Sequence, residues 1–307
     1  MKHIELFKTG FDDTINEKRK YKNRWYVAHD IVSSEIVYTI IPEPVVGPPD
    51  NEFWYTSSDG NRIFPRTVNG TEFDATIVGH TYENGKGVIT FNSPITNIGY
   101  AAFAGNSTLT SIFLPNSIKY IGTESFADCS SLSFITIPNT VTNIDMSAFF
   151  GCSSLPIENG IRYADIYLIG AVDKTLSTYF IKEGTKFIGY EAFYGCPSID
   201  SVTIPNSVIS IEDCAFYECS AITSVTIPNS VTSIGKYTFY YCKSLTSLNI
   251  PNSVTNIKNG AFYDCTSITY ITFDGTMEEW NSILKGFNWN YKVPATYIQC
   301  TDGQVAL

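Results

Sequence analysis

Apolar residues recur along most of this chain with a period of 23 positions. In one unit Leu245, Leu248, Ile250, Val254, Ile257, Phe262 and Cys265 are apolar, and Ile268 opens the next. The unit reads L-x-x-L-x-I-P-x-x-V-x-x-I-x-x-x-x-F-x-x-C. Its opening alternates apolar and polar residues over a short span, which predicts a β-strand with one buried face. The following Pro-Asn-Ser ends that strand, because proline has no N–H to donate and fixes φ for a turn. An apolar residue then falls at every third or fourth position as far as Ala-Phe-x-x-Cys, which predicts a short helical or 3₁₀ turn.

The same beat is kept elsewhere. Cys129, Cys152, Cys196, Cys219, Cys242 and Cys265 are separated by 23, 44, 23, 23 and 23 residues, and Pro115, Pro138, Pro205, Pro228 and Pro251 follow suit. Phe103, Phe126, Phe149, Phe193, Phe216, Phe239 and Phe262 form a third series. One such unit buries too few side chains to offset the ordering of its own backbone, so it needs neighbours. The pattern therefore predicts an α/β repeat solenoid, a leucine-rich repeat array of about eight 23-residue coils beginning near Val88, with a parallel β-sheet on one face. At a strand spacing of about 4.8 Å the array extends on the order of 40 Å. The 44-residue step is two short of two repeats, and Asp173 stands where cysteine is due. There the segment Gly160 to Val172, GIRYADIYLIGAV, reads as a β-hairpin replacing the helical side of a coil. Leu176, Tyr179 and Ile181 resume the ladder, with Lys182 in the proline place.

The flanks differ in texture. WYVAHD and EIVYTII alternate well enough to pair, so residues 1–41 are expected to form a small β module or hairpin. PEPVVGPP, 42–49, reads as an extended linker. Residues 50–87 are then a β-rich N-terminal cap, 88–273 the repeats with a hairpin insertion near 157–172, and 274–307 a C-terminal cap. Caps are required because a terminal coil exposes apolar rungs and unpaired strand edges. Trp280 and Trp289 are expected to cover the last rung.

The blocks GCSSL, VTIPNSV, TSIG and AFYGC resemble the signature of the BspA-like class of leucine-rich repeats, over about Phe91 to Phe273. WYTSSDG and TYENGKGVITF are similar to an N-terminal flank common beside such arrays, and DGTMEEW with VPATYIQCTDGQVAL to the family's C-terminal cap. Members are mostly surface or secreted proteins of gut and oral anaerobes and some protozoa, associated with adhesion. The resemblance thus implies an extracellular or cell-surface binding module.

Charge narrows the partners. A net charge of −10 argues against nucleic acid and anionic membranes, since phosphate binding needs clustered cations. Lys18, Arg19, Lys20, Lys22 and Arg24 are a local exception, either a solvated tail or a contact for an acidic partner. No run of 18 apolar residues occurs, so no membrane insertion is expected, and the first 24 residues show no apolar core of a signal peptide. His3, His29 and His80 all precede the repeats, and no HExxH, Walker A or dinucleotide motif is present. The expectation is a non-catalytic protein with no cofactor and no metal. The cysteine ladder reads as small buried hydrophobes, leaving Cys214 and Cys300, off the ladder, as the candidate reactive thiols.

Two sets of side chains are candidate contacts for a protein or glycan ligand. The outward strand positions carry no charge: Val88 and Thr90, Ser111 and Phe113, Phe134 and Thr136, Thr178 and Phe180, Ser201 and Thr203, Ser224 and Thr226, Ser247 and Asn249, Tyr270 and Thr272. From this strip Phe113, Phe134, Phe180, Tyr270, Thr136, Thr203 and Thr226 are the ligand-binding candidates; simple β-propensity on an exposed sheet explains them equally. The second set is the column Tyr194, Tyr217, Tyr240 and Tyr263, which either binds a ligand or packs coil on coil. The asparagines after each proline serve the turn. Adhesion or recognition is the leading reading, a structural or display scaffold in a larger assembly the second.

Overall fold

The computed structural model describes residues 18–21, 24–32 and 35–41 by backbone, and 47–66, 70 and 72–307 in full. The chain divides into two compact units, 1–47 and 48–307. In the first, Lys18–Tyr21, Arg24–Val32 and Glu35–Ile41 form a three-stranded antiparallel sheet with the middle strand second in sequence. Residues 42–46 of the expected linker, and the side chains of the basic run, lie outside the described residues.

The second unit is a β-solenoid of about nine turns. Parallel pairing in register repeats from coil to coil: Ile135 lies on Ile112, Val202 on Tyr179, and Ile271 on Leu248. Those residues are buried, whereas their sequence neighbours point out, as the two-residue period of a strand requires. The buried phenylalanines stack through the core. Phe193 to Phe216, Phe216 to Phe239 and Phe239 to Phe262 lie 5.0, 5.2 and 5.2 Å apart with planes within 7° of parallel. The last ring meets Trp289 edge-on at 6.3 Å, and Trp280 lies against both Trp289 and Phe273, so the two tryptophans close the array.

The α/β expectation is met only in part. Among the described residues the one α-helix is Met277–Ser282, in the C-terminal cap, begun by a Thr276–Glu279 capping box. The Ala-Phe-x-x-Cys segments are successive turns rather than helix. Glu124, Asp128, Cys214, Glu218, Tyr237, Tyr241 and Asp264 there adopt left-handed φ between 55° and 64° or, for Tyr237, 52°. That conformation ends an α-helix. It also aims alternate N–H groups along the solenoid axis: Phe126 donates to Ala148 O at 2.8 Å and Phe216 to Thr238 O at 2.8 Å. The inter-coil bonds take the donors a helix would use on itself.

The parallel β-sheet expected on one face is divided along the array. The strip side carries three separate sheets, of five, two and four strands. The longest ladder lies at the following corner, where Phe187–Ile188, Ser210–Ile211, Ser233–Ile234, Asn256–Ile257 and Leu284–Lys285 continue a sheet begun by the inserted hairpin. That insertion is Ile161–Ala164 paired antiparallel with Tyr167–Ala171, with Ile157–Glu158 as a third strand. At the N-terminal end Glu52–Ser57 is wedged antiparallel between Lys86–Phe91 and Leu109–Phe113. Val88 and Thr90 therefore do not lie directly on Ser111 and Phe113. At the other end Tyr297–Gln299 adds a parallel rung to Tyr270–Phe273, and Gln304–Ala306 closes it antiparallel.

Candidate functional site

The outward strand positions form an aromatic patch at the N-terminal end of the array. Phe134 pairs with Ser111 and Thr136 with Phe113, so the two phenylalanines sit diagonally, their rings 5.3 Å apart and tilted by 49°. Register then sets Trp54 beside Phe113 on the other side. Trp54 donates its indole N–H to Glu52 Oε2 at 2.7 Å, and the Lys86 ammonium sits 3.3 Å from the ring centroid. Sequence reading left Trp54 out, because its strand joins the patch by antiparallel wedging that no repeat announces. Its alternation, with Phe53 and Tyr55 buried and Trp54 outward, was the available signal.

The remaining strip residues are less gathered. Phe180 is 60 % exposed and lies in register with Thr203, but in the separate two-stranded sheet. Phe134 and Tyr270 are 48 % and 45 % exposed. Thr203 and Thr226 face solvent, Thr226 on an isolated bridge to Asn249, whereas Thr136 is half-buried and accepts the Leu114 N–H at 3.1 Å. Thr272 donates to Asn249 Oδ1 at 2.5 Å. The strip is thus three patches, of which only the first brings large aromatics together.

The tyrosine column is continuous. Tyr194, Tyr217, Tyr240 and Tyr263 follow one another at 5.2, 4.5 and 5.1 Å, and Tyr291 of the C-terminal flank adds a fifth ring at 4.6 Å. Tyr291 escaped sequence reading because it lies outside the 23-residue count. Burial, with help from the neighbouring Tyr240 phenol, pushes Tyr217 up to about 12. Since each ring covers its neighbour's face, the column offers chiefly edges and hydroxyls. Lys174 lies 5.6 Å from the first ring and Lys292 5.6 Å from the last.

The thiols are all unpaired. Cys129, Cys152, Cys219, Cys242 and Cys265 are buried and each donates S–H to a carbonyl 26 residues earlier, at 2.9 to 3.2 Å. Cys300, expected to be reactive, is buried too, and burial raises its thiol. Cys214 is half-buried, and burial with Glu191 and Asp213 pushes it up to about 11. Neither favours a thiolate. Among the described residues no three His, Cys, Asp or Glu side chains converge as a metal site, and no helix is long and apolar enough to cross a membrane.

A sequence model of the BspA type leucine-rich repeat region matches six copies, over residues 83–159 and 173–285. The gap between those spans, 160–172, is the hairpin. No curated protein matches the chain. Similar solved structures include a leucine-rich repeat protein of T. pallidum, 22 % identical over 66 % of this chain and 73 % of that one, with a TM-score of 0.30. A leucine-rich cell surface protein of Faecalibacterium prausnitzii A2-165 is 24 % identical over 62 % and 72 %, with a TM-score of 0.37. The pneumococcal vaccine antigen PcpA is 14 % identical over 94 % and 89 %, with a TM-score of 0.38.

Proposed function

Because the chain belongs to the BspA-type leucine-rich repeat family, we propose that it is a non-catalytic module that binds a protein or glycan in adhesion or cell-surface recognition, outside the cell. The observation that carries this is the aromatic patch of Phe113, Phe134 and Trp54, flanked by Lys86 and Glu52 at Trp54 and displayed on a sheet whose inward residues are all committed to the core. Large rings held on a rigid sheet contribute contact area at little entropic cost, and contiguous exposed apolar surface on a soluble fold marks contact sites. The patch is favoured over the tyrosine column because Phe134 is 48 % exposed and its ring is tilted against Phe113 instead of stacked face to face, and ring faces are what an apolar side chain or the C–H face of a sugar stacks on.

The test is a triple substitution, Phe113→Ser, Phe134→Ser and Phe180→Ser, in the full chain. Binding to printed panels of host-type glycans and extracellular-matrix proteins is expected to fall at least about tenfold for the recognised member, with an unchanged circular dichroism spectrum. Undiminished binding by that folded variant would sink the reading. The separate compact unit at 1–47 favours a second role, a display scaffold in which that unit docks and the array is a spacer. Removing residues 1–47 separates the two, since a recognition module keeps its ligand and a scaffold loses its assembly.

A further inference from the structure

The hairpin insertion breaks one row of hydrogen bonds and does not replace it. In the turn corner of each regular coil, three alternate residues donate N–H to the next coil. Ala101, Phe103 and Gly105 do so, then Glu124, Phe126 and Asp128, and the same positions in the four coils from Glu191 to Asp264, at 2.6 to 3.3 Å. The coil before the hairpin carries Ser147, Phe149 and Gly151 at these positions. Their N–H groups have no acceptor among the described residues. The acceptors due from the next coil fall in Tyr167–Ala171, whose backbone instead pairs with Ile161–Ala164 in the hairpin.

Other groups severed by the insertion are given substitutes. Asp165 Oδ2 accepts the Ile137 N–H at 2.6 Å, and Tyr163 Oη accepts that of Lys182 at 3.3 Å. Arg162 donates to the carbonyls of Cys152, Ser153 and Leu155, and Lys174 to that of Tyr194. Two of the three, Ser147 and Phe149, line a cleft of about 260 Å³ together with Phe150, Ile169, Tyr190 and Glu191, and Gly151 is exposed outside that lining. Phe150 is 66 % exposed at the rim of the cleft. Ser147 is half-buried and Gly151 exposed, so these N–H groups can be hydrated in the free chain and are open to a carbonyl that displaces that water.

We infer that this cleft is a peptide-binding site, distinct from the aromatic patch, in which an extended segment of a partner protein lends its backbone carbonyls to Ser147, Phe149 and Gly151 and sets a side chain against Phe150 and Ile169. The spacing carries the assignment. Each of the other coils fills this row with the carbonyls of alternate residues in the turns of the next coil, and a partner backbone that presents alternate carbonyls to the same side can take their place. Charge excludes the simpler ligand: the cleft's charged lining residue is Glu191 and the chain carries −10, so a carboxylate or phosphate is repelled where a neutral carbonyl is not. The volume falls below the roughly 300–1,000 Å³ of drug-sized pockets, which suits one side chain and its flanking peptide groups.

Amide hydrogen exchange on the isotope-labelled full chain tests this directly. Without added peptide, Ser147, Phe149 and Gly151 should exchange about a hundredfold faster than Glu124, Phe126 and Asp128, their counterparts one coil earlier. An acetylated, amidated hexapeptide alternating Phe and Thr, added at about millimolar concentration, should slow those three amides and shift their resonances. Phe150→Ala, a surface change with an unaltered thermal midpoint, should weaken that response about tenfold. Ile169→Trp, which fills the cleft, should abolish it. The inference is overturned if the three amides exchange as slowly as their counterparts in the free chain. It is equally overturned if the peptide leaves them unmoved, or if sodium acetate saturates them as readily.

Discussion

At the scale of single residues, the cysteine column shows how a repeat uses one side chain. A thiol is small enough to sit between stacked coils and can still donate weakly to a carbonyl, so each rung closes with an S–H bond instead of a void. Burial penalises the thiolate, and the adjacent Cys196 adds to it, so Cys219 is pushed up to about 12. The linkage has a definite sign. Below pH about 8.5 the thiol is protonated in both the folded and the unfolded chain and contributes nothing to pH dependence. Above it the unfolded chain ionises first, so stability falls with rising pH until the folded thiol also ionises near 12. Denaturant titrations between pH 9 and 11 should therefore show a loss of about 1.4 kcal/mol per pH unit attributable to this residue. In Cys219→Ala the slope should be shallower by that amount; equal slopes would show that the site does not hold its proton. Cys214 and Cys300 were set apart from the ladder by spacing alone, which says nothing of depth. Depth came from the chain around them: the same turn that stacks the coils half-covers Cys214, and the C-terminal strand pair covers Cys300.

At the scale of elements, rungs were legible and corners were not. A rung is fixed by which side chains point inward, and that alternation is written in Leu248, Ile250 and their equivalents. The turn corner is fixed by where backbone donors go, and a Phe-x-x-Cys spacing suits a helical turn as well as a chain whose alternate N–H groups leave for the next coil. The wedge of Glu52–Ser57 was hidden for a related reason, since its partners are 32 to 59 positions away and obey no period. Trp54 of the aromatic patch went with it, while Phe113 and Phe134, which ride on the repeat, were found. The hairpin was visible as a missing cysteine and a pair of lost residues, but its way of sealing the break was not. Asp165 is the clearest case: its carboxylate stands in for a strand, accepting the N–H of buried Ile137. Asp165→Ala should cost about 1–3 kcal/mol by leaving that donor without its partner, whereas Asp165→Asn, which keeps an acceptor oxygen, should cost far less. Equal losses in the two variants, by urea denaturation at neutral pH, would mean that the hydrogen bond is not what seals the junction.

At the scale of the whole molecule, the core of the second unit is two bodies joined at that hairpin. One cluster runs from Phe53 to Phe187 and the other from Ile161 to Cys300. The hairpin serves both, with Ala164 and Tyr167 in the first and Ile161, Tyr163 and Leu168 in the second. Elsewhere rungs of the same kind bear on each other. At the junction the column is interrupted: the second body's rings start anew where Tyr179 meets Phe193 at 5.1 Å, and Tyr167 lies between Phe149 at 5.6 Å, planes 50° apart, and Phe187 at 6.4 Å, both of the first body. The Tyr167 hydroxyl also accepts the Tyr190 N–H at 3.3 Å, and Gly189 has no side chain because Tyr167 Oη and Leu168 O occupy the space a Cβ would need. Repeat arrays stay cooperative only while the coupling between neighbouring units exceeds the differences in their own stability. Tyr167→Ala removes the hydroxyl contact to Tyr190 and weakens the first body alone, so it should split the urea transition in two, whereas Phe216→Ala, inside the second body, should lower a single transition by about 3–5 kcal/mol. The readout is hydrogen exchange across the transition, which reports the two sides separately. If Tyr167→Ala still unfolds in one step with both sides exposed together, the coupling runs through the backbone of the hairpin and not through that ring.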